Sequence, residues 1–219
     1  MTQPPLRIIK EQMCEVGKRI WQRGFCAGNE GNHSVRLGPD RFLCTPTGVS
    51  KGFITPDDLL TIDSLGKPIL FNAKKRQPTS EIKVHLSIYQ ARPDVNAVVH
   101  SHPPHATAFA LCDQPLPAGI HPEAELFLGH VPIAPYATPS TQAAADAVAS
   151  VIQPDTNTVL MANHGSVTFS DSLMDAYHKL EILDAYCRLL ILARQAGPIR
   201  HLDESQTQAL RDIKSRLGW

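Results

Sequence analysis

The 219-residue chain lacks any charge imbalance: 21 Lys and Arg stand against 21 Asp and Glu. With no net charge and no basic block it has no electrostatic footprint for nucleic acid, and none is expected as a partner. No apolar run approaches the ~18 residues of a membrane span, so no membrane contact is expected. The start, Met1-Thr2-Gln3-Pro4-Pro5, has no charged stretch leading into an apolar one. No secretory signal is therefore expected, and the cytoplasm is the expected compartment. Cysteine is scarce: Cys14, Cys26, Cys44, Cys112 and Cys187 are odd in number, widely spaced and free of any Cys-x-x-Cys pair. They read as reduced thiols, not as a disulfide framework or a thiolate metal site. No internal repeat, linker or low-complexity segment occurs. No Walker loop or Gly-x-Gly-x-x-Gly fingerprint is present either, so nucleotide binding has no support.

What remains is an ordinary globular mix, 42% apolar and 19% charged, long enough for a sizeable core. The apolar spacing predicts alternating helices and strands in one α/β domain over residues 1–219. Leu6, Ile9, Met13, Val16 and Ile20 recur at steps of three and four, the face of a helix that Gly24 stops. Short β-type runs follow over 33–37, 41–45, 59–63 and 68–71, punctuated by Gly38-Pro39-Asp40 and Ser64-Leu65-Gly66-Lys67. Further helices are expected from Thr79-Ser80 to before Pro93, after Pro104, and from Ser140 through Ile152. A long one should start at Ser172, with Asp175 completing an approximate capping box, and end at Gly197-Pro198. A short amphipathic helix over 205–217 closes the chain. Apolar strands 97–99 and 158–161 run into His100-Ser101-His102 and Asn163-His164-Gly165.

The unusual counts are 10 His and 18 Pro. His100 and His102 are two apart at the end of an apolar strand, so both imidazoles point the same way and can chelate one divalent ion. His164 ends another apolar strand directly before a glycine and is a natural third ligand. Three protein ligands with one open position is the catalytic arrangement for zinc, though manganese, iron and cobalt also accept imidazole and carboxylate. His105 is a rival third ligand that Pro103-Pro104 should turn away. A cupin reading needs a carboxylate shortly after the His-x-His pair, and 103–111 holds none. His33, His85, His121, His130, His178 and His201 read as surface or core residues.

Three segments are rich in hydroxyls, glycine and free backbone N–H groups: 28–34, 45–52 and 78–81. A helix N-terminus with unpaired donors favours phosphate, and Thr79 or Ser80 serves equally as a plain N-cap. Glu81, read as lying in the first helical turn, is either an acid favoured by the helix dipole or a base beside the metal.

In order along the chain come Gly31-Asn32-x-Ser34-Val35-Arg36, Thr45-Pro46-Thr47-Gly48, Thr79-Ser80-Glu81-x-x-x-His85, Val98-Val99-His100-x-His102 and Asn163-His164-Gly165. Together they resemble the class II aldolase/adducin family over about residues 6–197. The resemblance implies a three-layer α/β/α fold with a central, mainly antiparallel β-sheet flanked by helices. It implies a zinc site of His100, His102 and His164. Glu81 would be a fourth ligand in the empty enzyme and the proton-transfer group once substrate displaces it. Asn32, Thr47, Gly48, Thr79 and Ser80 match the family's phosphate-binding positions. A homotetramer acting on a small phosphorylated sugar is implied as well.

The implied activity is that of a zinc-dependent class II aldolase, a lyase of carbohydrate metabolism. It would reversibly cleave a short, fuculose-1-phosphate-like ketose 1-phosphate to dihydroxyacetone phosphate and an aldehyde through a metal-stabilised enediolate. The same site used as a dehydratase of methylthioribulose-1-phosphate type, a decarboxylase or a 4-epimerase is the alternative. A non-catalytic module like the adducin head comes last. Where the aldolases carry a tyrosine acid, this chain reads Ile120-His121-Pro122-Glu123-Ala124-Glu125. His121, Glu123 and Tyr136 are the candidates to replace it, and no tail tyrosine is expected before Trp219.

Overall fold

The computed structural model describes residues 4–70, 72 and 74–217. Among them seven strands form one sheet: β1 (Asn32–Gly38), β2 (Arg41–Cys44), β3 (Leu60–Ile62), β4 (Ala97–Ser101), β5 (Ile133–Ala134), β6 (Thr158–Met161) and β7 (Gly165–Ser170). Their spatial order is β3-β2-β1-β4-β7-β6-β5. Every pairing is antiparallel except β5 with β6. Six α-helices accompany the sheet: α1 (Leu6–Gln22), α2 (Ile82–Ala91), α3 (Pro104–Leu111), α4 (Gln142–Ala149), α5 (Leu173–Ala196) and α6 (Glu204–Leu217). The expected mainly antiparallel α/β architecture is what forms.

Side chains alternate across a strand, and the core splits accordingly. Val98, Val167 and Phe169 pack with Ile88 and Tyr89 of α2 and Val148 of α4 on one face. Ala97 and Val99 pack with Met13 and Val16 of α1 and Tyr177 and Leu180 of α5 on the other. A third cluster joins Phe109 of α3 to Leu183 and Leu190 of α5. The helix starts are chemically marked. Ser172 Oγ accepts from the Asp175 N–H at 3.2 Å, and Thr141 Oγ1 accepts from the Ala144 N–H at 3.2 Å.

Several elements differ from expectation. The run over 68–71 is not a strand among the described residues; Pro68 makes an isolated bridge to Ile62, and Phe71 lies outside the described residues. Met1, Thr2, Gln3 and Trp219 lie outside them too. The α4 helix ends at Ala149, short of Ile152. Strands β5 and β7 were not expected. β7 is central, and its Ser166 and Thr168 disguise a buried strand by donating to backbone carbonyls. Thr168 Oγ1 donates to Ala176 O at 2.7 Å and Ser166 Oγ to Ser101 O at 3.4 Å. Such bonds remove the penalty of burying a hydroxyl.

His33 of β1 is fully buried, and its Nε2–H donates to the Met13 carbonyl of α1 at 2.8 Å. Burial above all holds its pKa down to about 4 from 6.5. The unfolded chain takes up a proton at pH 6.5 that the folded chain refuses until about pH 4. Stability is therefore full above pH 6.5 and falls as pH drops through that window. At 1.36 kcal/mol per pKa unit this group alone removes roughly 2 kcal/mol between pH 7 and pH 5. His33→Gln keeps a donor for Met13, so its urea-unfolding free energy should lose about 2 kcal/mol less over the same interval than wild type.

Candidate metal centre

His100 lies on β4 in register with Asn32 of β1 on one side and Val167 of β7 on the other. His102 follows directly beyond the strand, and its N–H is held by Phe25 O at 2.9 Å. His164 sits in the β6–β7 turn after Asn163, whose φ of 57° places it in the left-handed region that asparagine tolerates. Gly165 then leaves room for His102: a Cβ there would lie 2.6 Å from His102 Cδ2. The three ring centroids are 4.8–5.0 Å apart. One ligand nitrogen from each lies within 4.8 Å of the others, a group that could hold a metal ion.

Glu81 meets this triad through both carboxylate oxygens. Its Oε2 is 2.8 Å from His100 Nε2, and its Oε1 is 3.7 Å from His164 Nε2. Oε1 is buried and accepts no hydrogen bond. A buried carboxylate oxygen without a donor is costly, and a cation among the imidazoles would relieve it. The donors also suit a borderline divalent ion: three imidazoles and a carboxylate, with no thiolate. Glu81 is the N-cap residue of α2 and not part of its first turn, and its side chain makes no capping bond. Thr79, not Glu81, supplies the local oxygen, accepting the Glu81 N–H at 3.4 Å. The Glu81 carboxylate is thereby left for the site.

The outer nitrogens of His100 and His102 are also held. His100 Nδ1 donates to Ser166 O at 2.9 Å, which fixes its tautomer and aims Nε2 inward. His102 Nδ1 lies 3.3 Å from Glu30 Oε2. Asn32 Nδ2 donates to Glu81 Oε2 at 3.3 Å while its Oδ1 accepts from His85 Nε2 at 2.5 Å. His85 Nδ1 meets Ser34 Oγ at 2.7 Å, and Ser34 Oγ in turn meets Tyr89 OH at 2.8 Å. His85 is thus a core histidine, as expected, but one that orients the site through Asn32.

Burial works to raise the Glu81 pKa, but His100, His164 and Asn32 outweigh it and hold the carboxyl well below the usual range. Burial lowers the His100 pKa, yet Glu81 reverses this and the net shift is upward. His164 falls to about 4, through burial and then the charge of His100, and His102 is lowered for the same reasons. The Glu81 carboxylate thus favours the charged form of His100, while burial favours the neutral forms of His102 and His164. A divalent ion would compete with the His100 proton.

The hydroxyl-rich loops assemble alongside. Pro46 and Pro78 form an isolated bridge, flanked by Thr79 N–H to Thr45 O at 3.1 Å and Thr47 N–H to Gln77 O at 3.0 Å. A cavity of about 210 Å³ results, lined by Asn32, Thr47, Gly48, Thr79, Ser80, Glu81, His100, His102 and His164. Every site residue expected from sequence therefore lies on one cavity. Glu30 and Lys51 line it too and were not anticipated. His105 is turned away, its Nδ1 2.8 Å from Asp184 Oδ2. His121, Glu123 and Tyr136 do not line the cavity; His121 stacks on Tyr186 at 5.9 Å, and Tyr136 is exposed.

Glu30 holds the outer nitrogen of His102, so Glu30→Gln is expected to weaken metal affinity by about 10–100-fold. Competition with a chromogenic chelator measures this directly.

A family model for the Class II Aldolase and Adducin N-terminal domain matches residues 11–191. An L-fuculose phosphate aldolase of Methanococcus maripaludis is 33% identical over 178 residues, 81% of this chain and 93% of that relative. A 3-oxo-tetronate 4-phosphate decarboxylase of Escherichia coli is 30% identical over 208 residues, 93% of this chain and 95% of that relative. Among solved structures, YgbL of Klebsiella pneumoniae, a candidate aldolase/epimerase/decarboxylase, superposes with a TM-score of 0.85 at 29% identity. That match covers 95% of this chain and 100% of the other. The chain belongs to the class II aldolase and adducin family and is a metal-dependent lyase within it.

Proposed function

We propose that this protein is a zinc-dependent aldolase that reversibly cleaves a short ketose 1-phosphate to dihydroxyacetone phosphate and an aldehyde. The observation that carries the reading is a single cavity lined both by the histidine triad with Glu81 and by the hydroxyl-rich loops. When bound, the zinc ion supplies Lewis-acid stabilisation of the negative charge that develops as the C3–C4 bond breaks. His100, His102 and His164 hold it through their inward nitrogens. Asn32 donates to Glu81 Oε2 and orients the carboxylate that moves a proton between C3 and solvent. Asn32, Thr47, Gly48, Thr79 and Ser80 take the phosphate and supply binding energy remote from the reacting bond. A cytoplasmic homotetramer, with residues 1–219 as one domain, belongs to the same proposal.

A second reading, decarboxylation of a 3-oxo sugar-acid phosphate, has its own support. The decarboxylase relative matches 93% of this chain. None of His121, Glu123 and Tyr136 lines the cavity where an aldehyde oxygen would need an acid. The proton-handling end serves both reactions; they differ in the group that leaves.

With fuculose 1-phosphate as the test substrate, release of dihydroxyacetone phosphate supports the aldolase. Release of carbon dioxide from a 3-oxo-4-phosphotetronate, with no aldol cleavage, supports the decarboxylase. In either case Glu81→Gln is expected to lower kcat, expressed per bound metal ion, by at least about 100-fold. Full turnover by that variant would remove Glu81 from proton transfer.

A further inference from the structure

Lys51 is the only lysine or arginine among the described residues lining the cavity. It is 2% exposed, and among the described residues no carboxylate lies within ion-pair distance of its ammonium. Its Nζ donates to Asn29 O at 2.8 Å and Val49 O at 2.6 Å. An ammonium has three N–H donors, so one is left without an acceptor among the described residues. The two carbonyls belong to loops that border the same cavity as Thr47 and Gly48. Carbonyls solvate the ammonium but leave its charge unneutralised, and a buried unpaired charge is costly.

The backbone that carries Lys51 is tightly packed. It starts a short 3₁₀ turn, Lys51–Phe53, clamped on α1. A Cβ on Gly17 would lie 2.4 Å from the Lys51 carbonyl oxygen, so only glycine permits this approach. Trp21 and Phe53 pack edge to face at 5.1 Å across the same contact. The ammonium is therefore preorganised, a condition for holding a ligand tightly. Burial lowers its pKa to about 8, which leaves it protonated at neutral pH.

We infer that Lys51 is a specificity-determining residue whose buried ammonium selects substrates bearing a phosphate dianion over their unphosphorylated counterparts. The inference rests on the sugar-phosphate reading above and adds the charge to a site otherwise made of hydroxyls and amides. The test compares dihydroxyacetone phosphate with dihydroxyacetone by titration calorimetry on metal-loaded protein. Lys51→Gln keeps N–H donors for the two carbonyls and removes the charge; Lys51→Met removes both; Lys51→Arg keeps the charge.

The ratio of the two dissociation constants should fall by about tenfold or more in Lys51→Gln and Lys51→Met, and stay within about threefold of wild type in Lys51→Arg. Dihydroxyacetone itself should bind all four proteins alike. If Lys51→Gln keeps the wild-type ratio, or only Lys51→Met loses affinity and loses it for both ligands, Lys51 merely tethers the loops and the inference falls. If wild type shows no preference for the phosphate ester, the sugar-phosphate reading falls together with it.

Discussion

The antiparallel pairing of β4 with β7 is the constraint on which the rest of the site depends. It sets His100 opposite Val167 and Ser101 opposite Ser166. That register brings the β6–β7 turn, and with it His164, against His102. A slip of one residue would turn His100 to the other face of the sheet and dissolve the triad. The same pairing places Ser166 O where it accepts from His100 Nδ1 and fixes the tautomer. Gly165 completes the arrangement by giving His102 the space a side chain would take.

Charge is distributed along the cavity with a similar economy. Beside the histidines the buried Glu81 carboxylate meets His100, and its second oxygen accepts no hydrogen bond. In the proposed reading this is the cation end. Elsewhere on the cavity wall the Lys51 ammonium is solvated by carbonyls, and the same reading makes it the anion end. A substrate with an oxygen pair and a phosphate would satisfy both. The polar chain from Asn32 through His85 and Ser34 to Tyr89 keeps the cation end oriented without adding charge, because burial holds His85 down to about 3 and therefore neutral.

Much of this was legible in the sequence. Local periodicity marks α1 and α5, and His-x-His at a strand end needs only the alternation of side chains to place two imidazoles together. His164 was legible because it too ends an apolar strand. What escaped depends on contacts far apart in the chain. β7 reads Gly165-Ser166-Val167-Thr168-Phe169-Ser170, and its hydroxyls look solvent-facing until α5 and β4 supply their acceptors. Glu30 and Lys51 sit in loops with no periodic signal, and only the fold brings them to the cavity. Glu81 as the N-cap residue, not a first-turn acid, turns on Thr79 taking the local hydrogen bond, a choice no spacing rule decides. The run over 68–71 had the composition of a strand but found one bridge, from Pro68 to Ile62 at the edge of the sheet.

The central claim is that this cavity labilises a proton beside a metal-stabilised oxygen on a phosphorylated ketone. Solvent deuterium exchange into dihydroxyacetone phosphate, followed by proton NMR with and without a chelator, tests it most directly. The account predicts stereospecific exchange at C3 in metal-loaded protein and its loss on chelation. Absence of exchange in protein shown to carry one metal ion per chain would contradict it.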